Sequence, residues 1–149
     1  MFEHYSIKLH IMKFIRRAEA NWQGTGKEGK GSLTTQSGTL NNTYYSSDSR
    51  FADEQATNPE ELIGAAHAGC FTMKLAYLLA EAGFTPTNLQ TKAKVTFEDG
   101  GIPLIQLSLE GEVPGITEQK FKDIAGDAKV SCPVSTLLRA TVELTVKLL

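Results

Sequence analysis

Residues 58 to 83 spell a helix with both of its ends written in, and that helix limits what the chain can become. Asn58 can cap the free backbone N–H groups, and Pro59 fits the first helical position, where no N–H is needed. Glu61 stands three residues past the cap, where its carboxylate can reach back in a capping box. Gly83 supplies the stop and Pro86 follows shortly after. Between these ends the segment is apolar on nearly every face, which predicts burial all round, in a membrane or in a protein core. His67, Lys74 and Glu81 make a bilayer span costly, and no unbroken apolar run reaches the roughly 18 residues a span requires. The expectation is the central helix of a soluble core.

The middle of this helix is small: Gly64, Ala65, Ala66, Ala68 and Gly69. A glycine inside a helix costs roughly 1 kcal/mol against alanine, so two of them predict that something packs very close. Cys70 ends that run. On its own it reads equally well as a small buried hydrophobe.

The chain has 149 residues, enough for one domain with a sizeable core. A net charge of −2 and the absence of long like-charge runs give no footprint for nucleic acid. Cys70 and Cys132 are too few and too far apart for a disulfide-stapled secreted scaffold. They have no metal-ligand spacing, and His4, His10 and His67 do not cluster with them. A reducing, cytoplasmic setting is the default. Residues 1–11 read as an N-terminal extension and 12–149 as a single domain. The basic residues Lys8, Lys13, Arg16 and Arg17 have no cleavage site behind them and are diluted by Glu3 and Glu19.

Along the chain, Ala18, Ala20 and Trp22 share one face of a weakly alternating stretch. A glycine-rich loop follows, then short polar strands flanking a turn at Ser37-Gly38. Residues 46–57 form a polar connection containing Arg50, long for its place. After the helix, Ala93, Val95 and Phe97 alternate with polar residues. Asp99-Gly100-Gly101 turns the chain into Ile105, Leu107 and Leu109, which predicts a half-buried antiparallel hairpin. Thr117 opens a second helix whose single apolar stripe is Phe121, Ile124, Ala125 and Ala128. Ser131-Cys132-Pro133 interrupts it before a short helical turn and a final strand over residues 140–148. The order β-β-β-α-β-β-α-β predicts an α+β fold, antiparallel sheets around a long buried central helix.

A buried thiol is a poor nucleophile until a cation stabilises its thiolate. Lys74 is one turn away but would point its head outward; Arg50 is the better candidate, and a buried Arg needs a carboxylate. With Glu61 engaged as a cap, Glu60 is left for that part. Glu60 and Cys70 are roughly 15 Å apart along one helix axis. Two antiparallel copies of the helix, packed through the Gly/Ala surface, would bring Glu60 of one chain near Cys70 of the other. A two-fold homodimer with composite sites is therefore expected. Cys132, at the start of a helical turn, stands where a thiolate is favoured. It reads either as an incidental bend residue or as a resolving cysteine.

The string from Asn58 to Phe71, with Arg50-Phe51 upstream and Cys132-Pro133-Val134-Ser135 downstream, resembles the OsmC/Ohr family and is most similar to its osmotically inducible protein C branch. The similarity runs from about Met12 to Leu149. It implies an intertwined α+β homodimer, bacterial and cytoplasmic, acting as a thiol peroxidase on organic hydroperoxides in oxidative and osmotic stress. No cofactor or metal is implied; a small external dithiol, for the Ohr branch a lipoyl group, is the implied reductant. Carried over by motif, Cys70 is the peroxidatic cysteine, Cys132 the resolving cysteine, Arg50 the activating arginine and Glu60 its partner. Tyr77, Phe71 and Met73 are candidate apolar wall for an alkyl substrate. Two rivals stay open. One is a cysteine hydrolase or transferase using Cys70 with His67, three residues earlier on the same helix. The other is a non-catalytic binding member of the fold with an inert Cys70.

Overall fold

The computed structural model describes residues 13–51 and 54–149, so the expected extension over residues 1–11 lies outside the described residues. The chain divides into two compact units, one ending at Thr57 and the other running from Asn58 to Leu149.

The first unit is an antiparallel sheet of β1 (Ala18–Gln23), β2 (Lys30–Thr35) and β3 (Thr43–Ser46), in that order. Gly31 of β2 lies opposite both Trp22 and Tyr45. A Cβ there would strike both rings, whose centroids are 5.3 Å apart at a tilt of 57°. Glycine in this strand marks the place where two aromatic rings close over bare backbone. The expected turn is present: Gly38 has φ +77°, and the Thr35 amide donates to the Leu40 carbonyl at 2.9 Å.

The polar connection after β3 has a local reason to be ordered. Its first part is a short helix, α1 (Asp48–Phe51), which carries Arg50. The Ser46 amide donates to Ser49 Oγ at 3.0 Å, the Ser49 amide returns a bond to Ser46 Oγ at 3.1 Å, and Ser49 Oγ donates to the Ser46 carbonyl at 2.6 Å. Both serines are buried, so these bonds hold backbone groups that would otherwise be costly to desolvate.

The second unit begins with α2 (Pro59–Glu81), and its start matches the sequence: Asn58 Oδ1 accepts from the Glu61 amide at 2.8 Å. β4 (Asn88–Glu98) and β5 (Gly101–Glu112) form the expected hairpin, turned by Asp99 at φ +49° and Gly100 at φ +77°. Then come α3 (Glu118–Ser131), capped by Thr117, α4 (Pro133–Leu137) and β6 (Thr141–Leu148). β6 pairs with β5 in parallel, because the chain crosses back over the sheet through α3 and α4 before returning. Antiparallel pairing holds for β1-β2-β3 and β4-β5, and the β4-β5-β6 sheet is mixed.

The core joins Phe71, Leu75 and Leu79 of α2 to Ile105, Leu107 and Leu109 of β5, with Phe121, Ile124, Ala125 and Ala128 of α3. Each large apolar side chain contributes roughly 1.5–3 kcal/mol by leaving water. Within one chain, however, α2 buries one stripe rather than its whole circumference: Gly64, His67, Phe71, Leu75 and Leu79. Met73 and Tyr77 are 62% and 66% exposed. The two helix glycines part company here. A Cβ at Gly64 would stand 3.2 Å from Val95 Cγ2, so that glycine lets α2 lie close on β4, whereas Gly69 has nothing within 4 Å. By length and composition alone α2 would pass as a membrane span, but its buried stripe packs on β4, α3 and α4.

Candidate active site

Cys70 lies midway along α2 and is half-buried; Cys132 joins α3 to α4 and is completely buried. Pro133 cannot continue the α3 hydrogen-bond ladder, so α3 ends at Cys132 and a new helical turn starts there. That bend aims the Cys132 side chain at α2. The two sulfurs are 3.0 Å apart, both free thiols, within S–H···S contact and 62 residues apart in sequence.

The pair shares its protons unequally. Burial pushes the Cys70 thiol up, its contact with Cys132 pushes it further, and the Val134 amide and the more distant Lys74 charge only partly offset this. Burial also acts upward on Cys132, but hydrogen bonds from Cys70, from the Ser135 amide and hydroxyl and from the Val134 amide outweigh it, so its thiol is lowered. Within the second unit, then, Cys132 is the more acidic of the two thiols. A thiolate on Cys70 needs a further cation, as the sequence expectation required.

Of the other expected site residues, Glu60 is half-buried in the first turn of α2, and Arg50 is exposed on α1 of the first unit. The structure brings Cys70 and Cys132 together and, within one chain, leaves Glu60 ten residues before Cys70 on the same helix, roughly 15 Å away. Among the described residues no group of three His, Cys, Asp or Glu side chains could hold a metal ion. Of the three candidate wall residues, Phe71 is fully buried in the core, while Met73 and Tyr77 are exposed. Met73 lines an open groove with Ala68, Gly69, Thr72, Leu89 and Thr91.

His67 does not turn to Cys70. It is completely buried, and its Nε2 is 2.7 Å from Ser135 Oγ. Burial lowers its pKa, so the ring is neutral at neutral pH. Ser135 is the residue that sequence reasoning passed over. Its signal was present: a serine three residues after Cys132, on a turn opened by Pro133, shares a face with that cysteine.

A close pair of free cysteines, one on a buried-stripe helix and one at a proline-made bend, is the equipment of a cysteine-based peroxidase, and comparison with known proteins agrees on that class. The sequence model of the OsmC-like protein family matches residues 52–147. "Peroxiredoxin OsmC" of Escherichia coli K12 is 45% identical over 141 residues, spanning 92% of this chain and 99% of the relative. Among solved structures, an organic hydroperoxide resistance protein from Elizabethkingia anophelis superposes with a TM-score of 0.65 at 25% identity, over 92% of this chain and 98% of the other. An OsmC-like protein from Mycoplasma pneumoniae shares the fold, with a TM-score of 0.74 at 13% identity over 93% and 99% of the two chains. The chain belongs to the OsmC-like protein family, and it is a cysteine-based peroxidase.

Proposed function

We propose that the protein reduces organic hydroperoxides, and hydrogen peroxide more weakly, through a Cys70 sulfenic acid and a Cys70–Cys132 disulfide, in cytoplasmic defence against oxidative and osmotic stress. The 3.0 Å approach of the two sulfurs carries this reading, because a resolving thiol must reach the oxidised one without refolding the chain. Cys70 thiolate attacks the peroxide and an alcohol leaves; Cys132 then displaces water from the sulfenic acid; an external dithiol, such as a lipoyl group, reduces the disulfide. Arg50 supplies the positive charge that Lys74 gives Cys70 only in part, and Glu60 holds that guanidinium. The hydrolase reading is not favoured, since His67 bonds Ser135 Oγ through Nε2 and no hydrogen bond joins it to Cys70 among the described residues.

Intact mass after one equivalent of an alkyl hydroperoxide tests this. The expected result is a loss of two hydrogens that a dithiol restores; in Cys132→Ser a gain of one oxygen should appear instead. No change in mass in the wild type would sink the reading.

The protein acts in this reading as a homodimer with composite sites. Two features support it: Gly69 has an open face despite its cost in a helix, and Met73 and Tyr77 are exposed one and two turns on. Gly69→Leu adds bulk where the chain itself has room. It is expected to shift the mass measured by light scattering from dimer to monomer, with the secondary structure retained. A dimer that survives at low micromolar concentration would place the contact elsewhere.

A further inference from the structure

The mechanism above uses two sulfurs and leaves a buried histidine unexplained. His67 is fully buried, one of its ring nitrogens is bound to Ser135 Oγ, and the other, Nδ1, has no hydrogen-bond partner among the described residues. Neutral imidazole carries one proton, on one nitrogen or the other. A proton on Nδ1 would be a buried donor with no acceptor, the costlier of the two vacancies. The proton therefore sits on Nε2 and is donated to Ser135 Oγ. That assignment fixes the serine as well. With a lone pair occupied by the histidine, the Ser135 hydroxyl has its own proton left to give, and Ser135 follows Cys132 by three residues on the turn opened by Pro133.

The geometry points to His67 and Ser135 as a positioning pair that holds a hydroxyl proton on the Cys132 sulfur, and so speeds the capture of oxidised Cys70. The chain of donors runs from His67 Nε2–H to Ser135 Oγ and from the Ser135 hydroxyl to Cys132 Sγ. Its effect on the sulfur has the expected sign, because the Ser135 hydroxyl is among the groups that lower the Cys132 thiol. Neither residue touches the peroxide. Both act through Cys132, and the proposal rests on the two-cysteine reading.

The step they serve balances as follows. Cys70 sulfenic acid, formed by the hydroperoxide, meets Cys132 as a thiolate. The new S–S bond forms as the Cys70 S–O bond breaks, and the hydroxide that leaves takes up the proton Cys132 had released, departing as water. A hydroxyl proton directed at Cys132 favours the ionised form of that sulfur against the cost of its burial. The burial of His67 keeps the ring neutral, so it serves as a fixed donor rather than a competing charge.

The test separates the two oxidation steps. Wild-type protein, Ser135→Ala, Ser135→Thr, His67→Gln and His67→Leu are mixed with one equivalent of an alkyl hydroperoxide and quenched at intervals. Intact mass then reports both the sulfenic acid, trapped by a dione reagent, and the disulfide. Ser135→Ala and His67→Leu are expected to slow disulfide closure at least tenfold more than they slow the first oxidation. Excess peroxide should then drive them to the sulfinic acid, a gain of two oxygens. Ser135→Thr keeps the hydroxyl and His67→Gln keeps an N–H at the Nε2 position, so both should close nearly as fast as wild type. A role confined to packing would not show this split or this pattern of rescue. Half-buried Ser135 tolerates truncation, so Ser135→Ala decides the matter even where His67→Leu lowers the melting temperature. Closure in Ser135→Ala as fast as in wild type overturns the positioning role alone. Failure of the wild type to close any disulfide overturns the two-cysteine reading, and this inference with it.

Discussion

Cys70→Ser is expected to lower the rate of hydroperoxide reduction by at least about a thousandfold, the scale on which loss of a nucleophile is felt. A serine hydroxyl in the same place is neither ionised at neutral pH nor oxidisable by peroxide. The sharper form of this prediction concerns pH. Only thiolate attacks, and the surroundings of Cys70 in its own unit push its thiol up, through burial first and then through the contact with Cys132. A group raised in this way is protonated below its pKa, so the first oxidation should quicken as pH rises and level off once the thiol has ionised. A guanidinium beside the sulfur, the place proposed for Arg50, would move that rising limb to lower pH. Arg50→Ala should return it to higher pH and slow the reaction at neutrality by ten- to a hundredfold, as one to two units of thiol ionisation would. Arg50→Lys keeps the charge but not the two-pronged donor and should fall between the two. Stopped-flow profiles of the first oxidation decide this; a limb that stays put in Arg50→Ala would take the activating role away from Arg50.

The parts of this molecule legible in the sequence are those where a local rule and the tertiary context agree. Asn58 and Thr117 cap their helices as read, because a cap is decided within four residues. The β4–β5 hairpin appears where Asp99 and Gly100 permit it, with Ile105, Leu107 and Leu109 turned into the core as the alternation required. The parallel pairing of β6 was not legible, since alternation along residues 140–148 tells which face is apolar and not in which direction the neighbour runs. The α2 helix was harder still. Its apolar circumference predicted burial all round, while a single chain covers one stripe, and Gly64 and Gly69, equivalent in sequence, prove different once β4 lies on one of them. At the site the two cysteines were identifiable one by one, but their meeting depends on the crossover through α3 and α4. The bond from His67 to Ser135 joins residues 68 apart, beyond the reach of any local rule.

Phe121→Ala is expected to have the largest effect on stability, about 3–5 kcal/mol. Phe121 is fully buried in the first turns of α3 and closes the core over Gly111 of β5, which makes it the side chain that ties the crossover to the sheet. The fit leaves no slack. A Cβ on Gly111 would run into the edge of the Phe121 ring and would lie 3.1 Å from Leu89 Cδ2. A packed ring cannot swing aside as the end of a flexible chain can, so Gly111→Ala should by itself cost about 1–3 kcal/mol through overpacking. The two changes are opposite in kind, one opening a cavity and the other filling the same space. Combined, they should cost less than their sum, by about 1 kcal/mol or more, because the new methyl occupies part of the void left by the ring. Chemical denaturation of the two single variants and the double variant at one protein concentration measures that coupling. Strict additivity would mean that the Phe121 ring relaxes away from β5 at no cost, and that α3 is held on the sheet by Ile124, Ala125 and Ala128 instead.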